Sequence, residues 1–365
     1  MKRTFRRASL LILAGLAFIF VSITGCLGPF KGQLSATDAT PDVPAVTKVI
    51  QSGISRNRLR GAAALIMRDN RVIYERAFGD YTTNTVVPIA SASKLISASV
   101  IMSVVDEGLL SLDAPISKYL PDLSGKEGRI TLRQLMSHTS GLPGNNRCLA
   151  NTSITLAECV DQIFRVGLQT DPGTQFRYGG VSFQVAGRLA EVASGKSWNT
   201  LFEEKIKNPL NMVNTSYGNT ENPRIAGGAS STLQDYANLL QMLLNGGVFK
   251  SKRSLSAQSV TEMQRDQTRG VPIASTPQPD KRRYGLGAWR DIVDSKGKAI
   301  QLSCQGAFGF SPWIDVQRKL VGVFLVRNRL RNVFGTVEQM QKTIREMVDS
   351  RRSAAVDTSV GSAIL

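Results

Sequence analysis

The chain has 365 residues but a single histidine, His138. One imidazole argues against a histidine-based metal centre or a His-dependent catalytic triad. Its cysteines, Cys26, Cys148, Cys159 and Cys304, show no zinc-ligand spacing, so no metal and no cofactor are expected. Aromatic residues make up 7%, and no basic run is interleaved with them, which argues against nucleic-acid binding. Acidic residues are scarce, 28 against 45 basic ones, for a formal charge of +17. That balance suits a protein working beside an anionic surface. The longest apolar run, Leu10 to Val21, is too short for a comfortable membrane span.

The first 25 residues have the layout of a secretion signal, with Lys2, Arg3, Arg6 and Arg7 ahead of that apolar run. It ends Ile23-Thr24-Gly25-Cys26, which resembles the bacterial lipobox. The resemblance implies cleavage before Cys26, a lipid anchor on its thiol and attachment to a membrane. Leu27, rather than an aspartate, follows; this points to the periplasmic face of the outer membrane. Residues 26–44 then form a tether, 45–348 a folded domain, and 349–365 a small, polar, disordered tail. In an oxidising envelope Cys148 and Cys159 either bridge or remain two buried thiols.

Ala45 to Ser55 reads as a helix, and the apolar-rich runs Ala62 to Met67 and Arg71 to Phe78 read as a hairpin turning at Asp69-Asn70. A buried helix follows to Gly108. Residues 112–245 read as helix and loop punctuated by Pro115, Pro121, Pro143, Pro172 and Pro209. Strands return over Tyr284–Ile292, Ala299–Ser303, Ser311–Val316 and Leu320–Val326, and Gln339–Met347 closes as an amphipathic helix. Strands at both ends with helices between predict an α/β (α+β) fold. An antiparallel sheet is assembled from both termini, and an all-helical domain is inserted.

Ser91-Ala92-Ser93-Lys94 opens the buried helix. Residues three apart on a helix share a face, so the hydroxyl and the amine can meet. A serine is a poor nucleophile until a base takes its proton, and burial leaves a lysine amine partly neutral for that task. Tyr178, on a loop before an apolar helix, offers a phenol for proton relay; read alone, it also suits packing at a domain seam. Cys304-Gln305-Gly306-Ala307 ends a predicted strand, where a glycine permits close backbone approach. The amides of Ser91 and Ala307 are then candidates to hold an oxyanion, although a plain glycine-rich turn fits the same residues.

Taken together, Ser91-x-x-Lys94, Tyr178 and the strand ending at Gly306 resemble the serine β-lactamase and penicillin-binding protein superfamily. The nearest branch holds class C β-lactamases, D-Ala-D-Ala carboxypeptidases and family VIII esterases. Further matches are Leu112 to Pro121, Ile130 to Pro143 (with His138 as a satisfied structural imidazole), Asn208 to Met212 with Thr215, and Ala226-Gly227-Gly228 before Asp235. The resemblance implies an α/β sandwich with a helical domain. It assigns Ser91 as acylated nucleophile, Lys94 as its proton partner and Tyr178 as a base.

Two positions depart from that pattern. Gly180 stands where the resemblance calls for an asparagine that contacts the lysine and the substrate amide. Cys304 stands where it calls for a cation. A neutral thiol cannot anchor a substrate carboxylate, a bond contributing roughly 1.5–3 kcal/mol. The expected activity is therefore an envelope serine hydrolase on a small-molecule or peptide ester or amide. β-Lactamase or D-Ala-D-Ala carboxypeptidase activity is the alternative, with Arg177, Arg290 or Lys281–Arg283 as substitute cations. A catalytically weak cell-wall-binding protein, or adhesion of the basic surface to anionic lipid or glycan, are readings of other classes.

Overall fold

The computed structural model describes residues 42–268, 270–277 and 283–361. The signal, Cys26, the tether up to residue 41, and Lys281 and Arg282 lie outside the described residues.

Helix α1 (Pro44–Arg56) begins with proline in its first turn, where a missing N–H costs nothing. Strands β1 (Gly61–Arg68) and β2 (Arg71–Gly79) form the expected hairpin. Asp69 (φ 50°) and Asn70 (φ 64°) both adopt left-handed backbone at its turn, as tight hairpin turns require. Helix α2 (Ser93–Asp106) follows. The intervening region carries α3 (Leu132–Met136), α4 (Leu156–Val166), α5 (Val181–Ser194) and α6 (Leu233–Leu244). Thr131 with Gln134, and Thr155 with Glu158, close capping boxes at the starts of α3 and α4.

Strands β3 (Trp289–Val293), β4 (Ala299–Ser303), β5 (Ser311–Asp315) and β6 (Leu320–Leu325) complete one antiparallel sheet in the order β2-β1-β6-β5-β4-β3. The two ends of the chain thus meet where β1 pairs with β6, Leu65 opposite Val323. Alternation along β1 serves two cores. Ala62, Ala64 and Ile66 pack with Val46 and Ile50 of α1 and with Val337 and Met340 of the closing helix α7 (Leu330–Gly361). Ala63 and Leu65 face the opposite core, which contains Leu95 of α2 and Leu240 of α6.

Two boundaries differ from the sequence reading. Helix α6 lies within the 112–245 span but packs on β5 and β6, so it covers the sheet. Its apolar residues are spaced for a core, and spacing alone does not say which core. The closing helix is longer than the pattern over 339–347, and the expected tail from residue 349 begins inside it; residues 362–365 lie outside the described residues. Cys148 and Cys159 are joined in a disulfide, which decides between the two readings of that pair.

Candidate active site

Ser91 sits in a single 3-10 turn, Ala90–Ala92, immediately before α2. Ala90 has φ 45°, an uncommon value for a residue with a Cβ, so the turn is held rather than relaxed. Ser93 holds it. Its buried Oγ donates to Ala90 O at 2.7 Å and accepts from Ala229 N at 3.0 Å, tying the turn to the 223–231 loop. Sequence reasoning passed over Ser93 because its partner is 136 residues away.

Lys94 points back along the helix to the same turn. Its Nζ lies 3.2 Å from Ser91 Oγ and donates to Ala226 O at 3.1 Å. The side chain is almost wholly buried in a helix whose residues from Ser93 to Val104 are all buried. Burial disfavours the ammonium and brings the pKa down to about 8; the nearby Cys304 opposes this and the charge of Arg224 adds to it. The amine is therefore substantially neutral in mildly alkaline solution.

Tyr178 is pinned through its backbone. Arg177 N donates to His138 O at 2.8 Å, and Tyr178 N donates to Ser275 O at 3.0 Å. Its phenol lies near enough to Ser91 for the serine to pull its pKa down. Lys94 Nζ lies 4.6 Å from the centre of the Tyr178 ring, within cation–π range. Burial, then Cys304, hold the phenol well above its ordinary pKa, against the pull of nearby Ser91. In this setting the group is a phenol, not a phenolate. Ser91, Lys94 and Tyr178 thus converge on one point, the first two as their spacing predicts and Tyr178 from a position that spacing alone could not join to them.

The segment ending β4 closes the other side. A Cβ on Gly306 would fall 2.0 Å from Ile89 O, so only glycine lets this strand end pass the Ser91 turn. Ala307 is exposed there, and no turn or loop backbone bond among the described residues uses its N–H. Cys304 is 2% exposed, and its Sγ donates to Ser91 O at 3.3 Å. Burial pushes the thiol up to about 11, with Lys94 pulling the other way, so it is neutral beside the nucleophile.

The substitute cations fare differently. Arg290 is buried and committed elsewhere: Nε donates to Gln264 O at 2.8 Å, and the guanidinium pairs with Asp266 at 3.3 Å. Arg177 is part-exposed on the loop before Tyr178. The arginine whose field reaches Lys94 is Arg224, exposed on the loop that carries Ala226. No motif marks it.

Gly180 is explained by space. Its φ of −98° suits any residue, but a Cβ there would lie 2.8 Å from Leu149 Cδ1 and 3.8 Å from Ala226 Cβ. Gly180 N donates to Gly144 O at 2.8 Å, and Asn222 Nδ2 holds Cys148 O at 2.9 Å. The disulfide-bonded loop therefore fills the place of a side chain at position 180.

His138 corrects an expectation. It is structural but not satisfied: it is 1% exposed, and neither ring nitrogen has a hydrogen-bond partner among the described residues. It packs on rings instead, 4.6 Å from Tyr178 and 5.0 Å from Tyr284 between centroids. Burial, then the charge of Lys94, keeps the imidazole neutral.

The Beta-lactamase family model matches residues 46–342. A crystal structure from Bacteroides dorei DSM 17855, assigned to the beta-lactamases, is 35% identical with a TM-score of 0.73; the match covers 79% of this chain and 91% of that one. D-alanyl-D-alanine-carboxypeptidase/endopeptidase AmpH of Escherichia coli (strain K12) is 26% identical over 311 residues, 74% of this chain and 79% of that protein. Protein flp of Staphylococcus aureus (strain N315) is 24% identical over 192 residues, and the match spans only 39% of its length and 48% of this chain.

Proposed function

The chain belongs to the Beta-lactamase family and is a serine hydrolase of that family; from that premise we propose that it works through an acyl-enzyme on Ser91, on an ester or amide without an anchoring carboxylate. The observation that carries this is the 3.2 Å approach of Lys94 Nζ to Ser91 Oγ in a buried setting, with Lys94 Nζ also 4.6 Å from the centre of the Tyr178 ring.

In the proposed sequence the neutral Lys94 amine takes the hydroxyl proton as Ser91 Oγ bonds to the substrate carbonyl carbon. The carbonyl oxygen becomes an oxyanion facing the N–H groups of Ser91 and Ala307; one such donor is worth about 3–4 kcal/mol of barrier. As the tetrahedral carbon collapses, the bond to the leaving oxygen or nitrogen breaks. The proton held by Lys94 reaches that atom through Tyr178, which gives up its phenolic proton and regains one from Lys94. Water then attacks the acyl-serine, with the same groups moving its proton.

The substrate class follows from Cys304. A buried, neutral thiol beside Ser91 gives no charge to a carboxylate, which favours esters and simple amides over penicillins and D-Ala-D-Ala peptides. The likeness to AmpH supports the peptide alternative. A panel of p-nitrophenyl esters, nitrocefin and a D-Ala-D-Ala peptide, run on wild type and Ser91→Ala, tests the choice. Ester turnover that disappears in Ser91→Ala supports the reading; efficient peptide or nitrocefin turnover overturns the carboxylate argument.

We further propose that Cys26 carries a lipid anchor that holds the enzyme at the periplasmic face of the outer membrane, on the strength of Ile23-Thr24-Gly25-Cys26. Metabolic palmitate labelling of the full chain, absent in Cys26→Ser, is the expected result; equal labelling of both would contradict it.

A further inference from the structure

The phenol of Tyr178 must meet Ser91 Oγ, yet its backbone pins fix only where the side chain starts. Rotation about the Cα–Cβ bond of Tyr178 would carry the oxygen away by ångströms, and the terminal ring torsion, which turns the ring face about an axis through the oxygen, is intrinsically broad. The ring direction is therefore set by what touches the ring.

Besides Lys94 Nζ, three rings flank it, with Tyr284 the most distant at 6.1 Å and edge-on. On one side the indole of Trp289 stacks on it, with centroids 5.2 Å apart and planes inclined by 27°. The imidazole of His138 lies 4.6 Å away at 50°. Trp289 is itself fixed, being 3% exposed and braced edge-on by Tyr284 at 4.8 Å and by Phe176 at 5.9 Å. It is also registered to the helix bearing Lys94. Gly287, two residues earlier, has φ 94°, and a Cβ there would lie 2.6 Å from Ala98 Cβ and 3.0 Å from Lys94 O. The turn that delivers Trp289 to Tyr178 thus rests on the backbone of Lys94 itself.

We propose that Trp289 is a positioning residue, its indole setting the Tyr178 ring so that the phenol reaches Ser91 while the ring face meets Lys94. This rests on the acyl-enzyme reading above. Trp289 touches no reacting atom; it acts only through the tyrosine. Offset ring stacking favours this arrangement beyond area burial alone, and an ångström of misplacement can cost about a hundredfold in rate.

The test is a cycle of kcat and KM on a simple alkyl ester, whose leaving alkoxide needs a proton. Wild type, Trp289→Leu, Trp289→Phe, Tyr178→Phe, Tyr178→Phe with Trp289→Leu, and Ser91→Ala are compared, each with its thermal unfolding curve. Trp289→Leu lowers kcat at least about tenfold with KM within about twofold, and Trp289→Phe, which still offers a stacking ring, recovers most of it. In the Tyr178→Phe background Trp289→Leu adds less than about a twofold loss, because the phenol it positions is gone. Equal losses with and without the phenol, or wild-type kcat in Trp289→Leu, overturn the proposal. Should Trp289→Leu not fold, Trp289→Met carries the same comparison. Undiminished turnover in Ser91→Ala would bring down the acyl-enzyme reading, and the positioning role with it. A dead Ser91→Ala with additive losses brings down only the role of Trp289.

Discussion

Leu149 Cδ1 stands where a side chain at Gly180 would have to begin, 2.8 Å from the position of its Cβ. Gly180→Asn therefore overpacks the junction between the disulfide loop and α5. The obstructing atom is a side-chain tip, so the cost is at the low end for overpacking, about 1 kcal/mol. Thermal unfolding should show a lower midpoint, and Leu149→Ala should cost less in the Gly180→Asn background than it does alone, since the two changes relieve one another. An unchanged midpoint in Gly180→Asn would mean that the loop yields freely.

The Cys148–Cys159 bridge ties that loop to α4 across a sequence separation of 11. Closing so short a loop restricts the unfolded chain by roughly 2–3 kcal/mol. Replacing both cysteines by serine should lower stability by about that amount in a denaturant titration. No change in midpoint would contradict it.

Gly306→Ala presses a methyl against Ile89 O, a backbone atom that cannot retreat without shifting the Ser91 turn. The variant should lose at least about tenfold in kcat, since a small misplacement of an oxyanion donor or nucleophile is costly. The activity of the refolded variant checks this; wild-type kcat would show that the strand end and the turn are not held in register.

Lys94 provides the pH dependence. Its pKa is depressed to about 8, and the neutral amine is the active form. The rate of Ser91 acylation should rise as pH climbs through that value and level off above it. Arg224 lowers the Lys94 pKa by its charge, so Arg224→Ala should move the rise to higher pH. A flat profile, or a shift to lower pH in Arg224→Ala, would contradict the assignment.

Tyr178 should matter in proportion to the leaving group. A p-nitrophenolate departs without a proton and an alkoxide does not. Tyr178→Phe should therefore lose at least about tenfold more kcat on an alkyl ester than on a p-nitrophenyl ester. Equal losses on both substrates would remove proton delivery from its role.

The residues legible in the sequence were those that carry chemistry in a recognisable order. Ser91 and Lys94 sit three apart across the turn that opens one helix, and both the Tyr178 loop and the strand end at Gly306 follow local rules. The sheet was legible too, because short apolar-rich runs bounded by turn residues flank a long stretch rich in helix signals. Their supports were not. Ser93 answers to Ala229, Lys94 to Ala226, and Gly180 to Leu149. Each pairing is made by tertiary packing between segments far apart in the chain, and no spacing encodes it. His138 shows the opposite failure: a motif marked the residue, and only the packed rings around it revealed that its nitrogens go unpaired.

The central claim is an acyl group on one oxygen. Wild-type protein treated with a fluorophosphonate should gain a single adduct by intact mass, lodged on the peptide containing Ser91, and Ser91→Ala should gain none. An adduct on another residue, or ester turnover undiminished in Ser91→Ala, would contradict the account.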